Sequence, residues 1–434
     1  MHVVMFADQH VESLGGAQVS MRLQRRFLER AGHTVTIVAP RMHRPAPTDA
    51  AYVDLPSIPV TLDREYALSW PGRRTDRLVD AALAGRAPVD VVHVQADFWG
   101  AFIGHRYAAR HGLPVVHTMH NRVDVGIEET APFPGLVMRA LNAWARRALR
   151  PAPRTRDVRS LARSSQNSAA ILRGSGDSAT FAREAPDGWA YLRRLARLSA
   201  AVTAPSAHFA RRLEAHGAVP GDTVGRAEDT ARVDVVWNGI DDDILDAALA
   251  AESAERRPGR PRFVWIGRMS PEKRLLPFLE AVAAAGIDAE VEVIGGGAQL
   301  RAARRLVERT RPVASIHFAG RMPYARTLAR LAAADAVVQT SIGFETQGMT
   351  VFEAASLGTP AVVSDPDIAA ELGGGVWSVA DATVAALAET LRRAAADIAA
   401  GSPVAVDPTI GERFRQSSRT AAMVEVYARA VAPR

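Results

Sequence analysis

Short apolar runs bounded by glycine, proline or polar clusters recur along the chain and alternate with stretches of helical period. That is the pattern of strands buried in a parallel sheet between helices. Val3 to Ala7 reads as a first buried strand. Gly15-Gly16 then opens a helix carrying Val19, Met21, Leu23, Phe27 and Leu28, which ends at Gly32 before a second strand, Thr34 to Ala39. Asp90 to Gln95 and Leu113 to His120 are further strands, each ending in polar residues at the carboxyl edge. Residues 151–188, rich in Arg, Ser, Gly and Pro without a period, read as a mobile insertion. Trp189 to Leu198 returns to helical spacing, and Arg256-Arg257-Pro258-Gly259-Arg260-Pro261 punctuates the chain as a linker. Beyond it the alternation resumes with strands at Phe263 to Ile266, Val291 to Ile294, Ile316 to Phe318, Ala336 to Val338 and Ala361 to Val363. A helix from Arg419 to Val431 closes the chain.

The most informative joint lies between the last two of those strands, in Gly343-Phe344-Glu345-Thr346-Gln347-Gly348-Met349-Thr350-Val351-Phe352-Glu353. Two acids sit eight apart around a glycine, in the loop and helix joining neighbouring strands of a parallel sheet. Ligands of open α/β sheets bind at that edge, and an exposed helix start offers unpaired N–H groups to an anion. Gly348, Met349 and Thr350 therefore read as a phosphate cradle. Glu353, one turn into the helix, can reach paired hydroxyls such as those of a ribose, and Glu345 stays near the reacting end. Ser270-Pro271 reads as an N-cap with proline at the first helical position. It places Arg268 in a strand-to-helix loop and Lys273 in a first helical turn at the same sheet edge, two fixed cations suited to a diphosphate. Gly15 and Gly16 offer a backbone that can approach a phosphate closely, without the spacing of a dinucleotide fingerprint. The aromatic stretch Asp63 to Pro71 is a candidate acceptor lining.

At 434 residues two domains are expected, and nearly half of the residues are hydrophobic, enough for sizeable cores. The absence of cysteine excludes disulfides and thiolate metal sites and agrees with an intracellular protein, as does a start too soon charged for a signal peptide. No apolar run is long enough to span a membrane. The net charge of +6 is unevenly placed: residues 101–200 hold 16 Arg against 7 Asp plus Glu. Along Leu136 to Arg150, Val137, Leu141, Trp144 and Ala148 share one helical face opposite Arg139, Arg146 and Arg150. Arginines continue the charge to Arg163, so an anionic membrane surface meeting 136–163 is expected, against the reading of a helix packed on its own domain. Nucleic acid is not the expected partner, because Trp144 is the sole aromatic interleaved with the 139–163 basic run. Lys273 is the only lysine in the chain, which suggests that a compact point charge is wanted there.

The two glutamates, with Leu357-Gly358-Thr359-Pro360 after them, resemble the E-x7-E motif of the retaining glycosyltransferases of family 4, which have the GT-B fold. Glu345-Thr346-Gln347-Gly348 is similar to the form found in bacterial glycolipid glycosyltransferases. Val236-Trp237-Asn238-Gly239-Ile240-Asp241 resembles the turn that closes the family's first domain. The resemblance implies two Rossmann-like domains facing across a cleft: residues 1–240 on the acceptor side, 241–415 holding the nucleotide sugar, and 416–434 as a helix crossing back. It implies that Arg268 and Lys273 bind the diphosphate, that His120 lies against the donor sugar, and that the base sits near the loop after Ile316 to Phe318. The expected reaction is retaining transfer of glucose or mannose from a UDP- or GDP-hexose to a hydroxyl of a lipid or sugar acceptor, without an obligatory metal, at the cytoplasmic face of a membrane. Another GT-B enzyme such as a nucleotide-sugar epimerase, or a basic nucleic-acid binder, are the alternatives.

Overall fold

The computed structural model describes the chain outside residues 14, 46, 62–63, 124–126, 128–132, 150–187, 222–231, 253–258 and 433–434. The insertion expected over 151–188 lies outside the described residues apart from Gly188, as do Arg256, Arg257 and Pro258 of the expected linker.

The apolar runs form two parallel sheets. The first half supplies β1 (His2–Ala7), β2 (Thr34–Pro40) and β3 (Tyr52–Leu55), then a two-stranded antiparallel ribbon of β4 (Ile58–Pro59) and β5 (Ala67–Leu68). It continues with β6 (Val91–Gln95), β7 (Val115–Thr118), β8 (Ala201–Ala204) and β9 (Asp234–Val235). Apart from the ribbon these make a seven-stranded sheet in the order β3-β2-β1-β6-β7-β8-β9. The second half supplies β10 (Arg262–Arg268), β11 (Glu290–Gly296), β12 (Ser315–Gly320), β13 (Ala336–Gln339), β14 (Ala361–Val363) and β15 (Val376–Ser378), ordered β12-β11-β10-β13-β14-β15. Both orders reverse direction once, between β1 and β6 and between β10 and β13. At such a switch point the crossover helices leave on opposite faces and open a crevice at the carboxyl ends of the strands. Strands covered by helices on both faces must be apolar throughout, and Val3, Val4, Met5 and Phe6 of β1 are all fully buried.

The chain passes from one sheet to the other at Ile240 and returns at Arg415. The two passages lie side by side: the Ile240 N–H donates to the Phe414 carbonyl at 2.7 Å and the Gln416 N–H to the Ile240 carbonyl at 2.8 Å. A Cβ on Gly239 would stand 2.7 Å from the Gln416 Cα, so this crossing admits no side chain. Helix Gln416–Val431 then lies on the first sheet, where Met423, Val426 and Tyr427 join its core and the Tyr427 hydroxyl meets His93 Nδ1 at 2.6 Å.

Helix Pro134–Ala148 differs from the membrane-facing expectation. Leu141 and Ala148 are buried in the core of the first sheet. Trp144 lies edge-on to Phe102 and stacks with Trp70, ring centroids 5.1 Å apart. From Leu141 onward the apolar face is thus packed on the protein itself. Phe133, Leu136 and Val137 at the start of the helix remain exposed, as do Arg139, Arg146 and Arg147. Arg150 and the arginines that follow lie outside the described residues.

Candidate functional site

The carboxyl edges of the two sheets face one another across a cleft of about 260 Å³. On the second-sheet side, β13 runs into Gln339-Thr340-Ser341 and the loop to Gly348, after which helix Met349–Ser356 starts. Gly348 sits at φ 79°, a left-handed conformation that favours glycine, and a Cβ there would press on the tip of the Ile368 side chain at 2.7 Å. The helix start at Met349 and Thr350 lines the cleft, its first N–H groups available for an anion.

Lys273 reaches the same space from the β10 side. It closes a 3₁₀ turn, Pro271–Lys273, and not the first turn of a helix; Arg274 adopts a left-handed conformation before helix Leu275–Ala285 begins. The expected Ser270 cap does not form, since that hydroxyl donates to the Glu272 carboxylate. Trp265 Nε1–H donates to Thr340 Oγ1 at 2.9 Å, and Thr340 in turn donates to the Lys273 carbonyl at 2.6 Å, which fixes the lysine backbone. The ammonium pairs with Glu345 Oε1 and lies 5.5 Å from the Phe344 ring centroid. Glu345 also accepts from the Ser341 hydroxyl at 2.8 Å. Lys273 and Glu345, each about one-fifth exposed, are therefore a cation and an anion held at the mouth of the helix.

On the first-sheet side Gly16, His120 and Asn121 line the cleft. Burial pushes His120 down to about 4, so the imidazole is neutral and serves as a hydrogen-bonding group. Its Nε2 is 3.3 Å from Gln95 Oε1, and its carbonyl accepts from the Thr346 hydroxyl at 3.0 Å. Asn121 Nδ2–H donates to Asp97 Oδ2 at 2.6 Å. Asp97 is fully buried at the end of β6, and burial, reinforced by the nearby charge of Asp8, raises it to about 7.

Three of the residues singled out in the sequence fall elsewhere. Arg268, at the end of β10, is exposed and turns to Glu272 at 3.1 Å, one helical turn ahead, so the structure does not bring its guanidinium into the cleft. Gly15 precedes the lining, which begins at Gly16. Glu353 is buried behind the helix start and accepts from the Tyr324 hydroxyl at 2.9 Å; burial outweighs that bond and raises the carboxyl to about 7. Trp70 of the aromatic stretch packs on Trp144, and Asp63 lies outside the described residues. Asn121, Thr340, Ser341, Tyr324 and Asn238 were missed. Thr340 and Ser341 follow a buried strand directly, which was the available signal. Asn238 belongs to the turn quoted for its resemblance, and its N–H and Nδ2 both donate to Gln347 Oε1, at 2.9 and 2.8 Å.

Asp365-Pro366-Asp367, just past β14, is an Asp-x-Asp pair that the sequence reading passed over. Asp365 caps the following helix and accepts from the Gly343 N–H at 2.7 Å, while Asp367 pairs with Arg212. Among the described residues no three His, Asp or Glu side chains converge as a metal-binding group, and no helix is long and apolar enough to cross a membrane.

Two facing parallel sheets with a cation and a helix start at the cleft define a two-lobed α/β protein with a built anion site, and comparison with known proteins makes the class specific. The family model described as "Glycosyl transferases group 1" matches residues 260–397, and that described as "Glycosyltransferase Family 4" matches residues 14–164. The fold is shared with HepE of Anabaena solved with UDP (TM-score 0.60, 14% identity, covering 98% of this chain and 99% of that one). It is also shared with sucrose-phosphate synthase of Thermosynechococcus elongatus (TM-score 0.62, 16% identity, 98% of each chain). The lipopolysaccharide outer core galactosyltransferase WaaB is similar as well (TM-score 0.59, 13% identity, 98% of each chain). Among curated proteins no sequence match was found. The chain is a glycosyltransferase of the GT-B fold, and with matches to both of these models it is of the family 4 kind.

Proposed function

We propose that the protein is a retaining hexosyltransferase that moves glucose or mannose from a UDP- or GDP-hexose to an acceptor hydroxyl, that of a membrane glycolipid. One observation carries the reading: the Lys273–Glu345 pair and the start of helix Met349–Ser356 converge on one cleft and face His120 across it. We assign donor binding to the part of the chain from residue 241 to about 415 and acceptor binding to residues 1–240, with 416–434 returning to the first part.

In this reading the donor diphosphate lies on the N–H groups of Met349 and Thr350 with Lys273 against it, as an anion at a helix N-terminus requires. Glu353 takes the ribose hydroxyls once Tyr324 yields. Neutral His120 and Asn121 orient the hexose and the acceptor. The acceptor oxygen bonds to the anomeric carbon on the face from which the diphosphate departs, its proton passing to the leaving phosphate oxygen. Configuration is retained, and Lys273 stabilises the charge gained by the diphosphate. Glu345 steadies the sugar end. Arg268 takes part only if its side chain leaves Glu272 for the phosphates. UDP and UDP-glucose, bound in the HepE structures, are the donors to test first.

A lipid acceptor would be met at the exposed start of helix Pro134–Ala148. Phe133 and Leu136 are about two-thirds exposed there, and Arg139, Arg146 and Arg147 are exposed along the same helix. An apolar tip followed by arginines suits an anionic headgroup layer on the cytoplasmic side. The decisive experiment is thermal stabilisation by UDP- and GDP-hexoses followed by donor hydrolysis and transfer. A ligand near 100 times its dissociation constant adds about 2.7 kcal/mol. No stabilisation and no hydrolysis with any nucleotide hexose overturns the reading.

A further inference from the structure

The loop that carries Glu345 belongs to the second sheet, yet its backbone is held largely by the first. Arg122 Nη1 donates to the Gly343 carbonyl at 3.1 Å, the Ser206 hydroxyl donates to the Thr346 carbonyl, and His208 Nε2 lies 3.3 Å from the Glu345 carbonyl. His208 sits in the first turn of helix Ala207–Ala215. Its Nδ1 meets Glu371 Oε2 at 2.7 Å, and both side chains are almost completely buried. Glu371 comes from helix Pro366–Leu372, on the second-sheet side. It also accepts from the N–H groups of Ala207 (2.6 Å) and His208 (3.0 Å) and from Trp237 Nε1 (2.7 Å).

Every partner of the His208 ring is an acceptor. Nδ1 faces a carboxylate oxygen; Nε2 faces a carbonyl oxygen and, at 3.4 Å, the Ser206 Oγ, whose own proton is spent on Thr346. A neutral imidazole carries one N–H and can satisfy one side only, so the arrangement calls for the imidazolium. We infer that His208, anchored by Glu371, is a positioning residue: as the imidazolium it clasps the two domains together and sets the backbone of Glu345, and through it the Lys273 pair. This rests on the glycosyltransfer reading above for its consequence in catalysis.

The charged surroundings agree. Burial opposes a charge on His208, but the Glu371 hydrogen bond and charge outweigh it, so its pKa is raised; burial likewise opposes the Glu371 charge, and His208 and the two amides outweigh it. The other groups about the pair are Asp367, itself paired with Arg212, the carboxylate of Glu345, turned away to Lys273, and Arg413 and Arg419, each 5.2 Å from the Trp237 ring. A group whose pKa is raised in the clasped state favours that state at low pH. The favour is lost as pH rises through the raised value.

The test is amide exchange of residues 343–348 in the full chain against pH, with intrinsic rates divided out, for the wild type, His208→Gln and Glu371→Gln. The wild type is expected to lose protection roughly tenfold as pH rises past the His208 titration, while both variants show low protection without that step. With an active donor and acceptor, His208→Gln is expected to lower kcat roughly tenfold, to leave the donor KM within about threefold, and to remove the alkaline limb of the kcat profile. Wild-type protection and an unchanged pH step in both variants overturn the clasp. If His208→Gln does not fold, Glu371→Gln, which keeps the side-chain shape, decides alone. A wild type inactive toward every donor overturns the glycosyltransfer reading instead, and the exchange data still judge the clasp.

Discussion

Replacing Glu353 by glutamine separates what this carboxyl costs the fold from what it contributes to the site. Among the described residues the side chain that donates to it is Tyr324, at 2.9 Å, and burial raises its pKa from 4.5 to about 7. A carboxyl with a raised folded pKa destabilises the protein progressively as pH climbs from its unfolded value to its folded one. The gap between 4.5 and about 7 corresponds to about 3 kcal/mol, present in full above pH 7 and absent below pH 4.5. Glutamine keeps the shape, still accepts the Tyr324 proton and carries no charge. Urea unfolding at pH 8 should therefore show Glu353→Gln more stable by up to about 3 kcal/mol. With a slope of about 2–3 kcal/mol per molar, the midpoint rises by about 1 M. At pH 5 the difference should shrink to under about 1 kcal/mol. The same variant should lose most of its stabilisation by UDP, since a carboxylate is what pairs with two ribose hydroxyls. Equal midpoints at pH 8 would refute the electrostatic argument, and undiminished stabilisation by every nucleotide would refute the ribose assignment.

Three further outcomes are expected. Lys273→Ala should weaken donor binding or turnover and Glu345→Ala should lower turnover more than affinity. Each costs about 3 kcal/mol, or a hundredfold in rate, and full activity of the Glu345 variant in a transfer assay removes its assignment. Activity should survive EDTA, and the product's anomeric configuration, read by NMR, should match the donor's; an inverted product or a magnesium-restored activity contradicts the retaining mechanism. Binding to anionic vesicles at low salt should fall when Phe133 and Leu136 become serine and again when Arg139, Arg146 and Arg147 become glutamate, whereas unchanged co-sedimentation of both variants rejects the membrane face.

Strands buried on both faces leave an unbroken apolar run, so β1, β2, β6, β10 and β13 could be read directly. Gly348, placed in the cradle from the sequence, does sit at a positive φ of 79°, which favours glycine. What could not be read depends on long-range partners. Nothing local distinguishes the amphipathic wheel of helix Pro134–Ala148 on a membrane from the same wheel on its own core. Phe102 and Trp70, far off in the chain, decide it. Arg268 and Lys273 stand five apart beside one strand end, yet a 3₁₀ turn followed by left-handed Arg274 sends one outward and the other into the cleft. Ser206, His208 and Asn238 reach the Glu345 loop across more than a hundred residues each, and Ser206 and His208 lie in a segment whose own pattern announces only a helix cap.

The single lysine acquires a reason from its surroundings. Its carbonyl is held by Thr340, its ammonium pairs with a largely buried carboxylate, and the Phe344 ring closes one side. A planar guanidinium needs several acceptors arranged in its plane, and among the described residues the partners of this cation are one carboxylate oxygen and an aromatic face. An ammonium can swing its three donors from Glu345 to an arriving phosphate without losing register, because the backbone that carries it is pinned by Thr340 and, behind it, Trp265. In the proposed reaction the residue that pairs with Glu345 is then the one that releases it toward the sugar. On that proposal, binding of the diphosphate and the setting of the carboxylate become a single event, and the loop that must hold its place during the exchange is the one bound on its far side by Ser206 and His208.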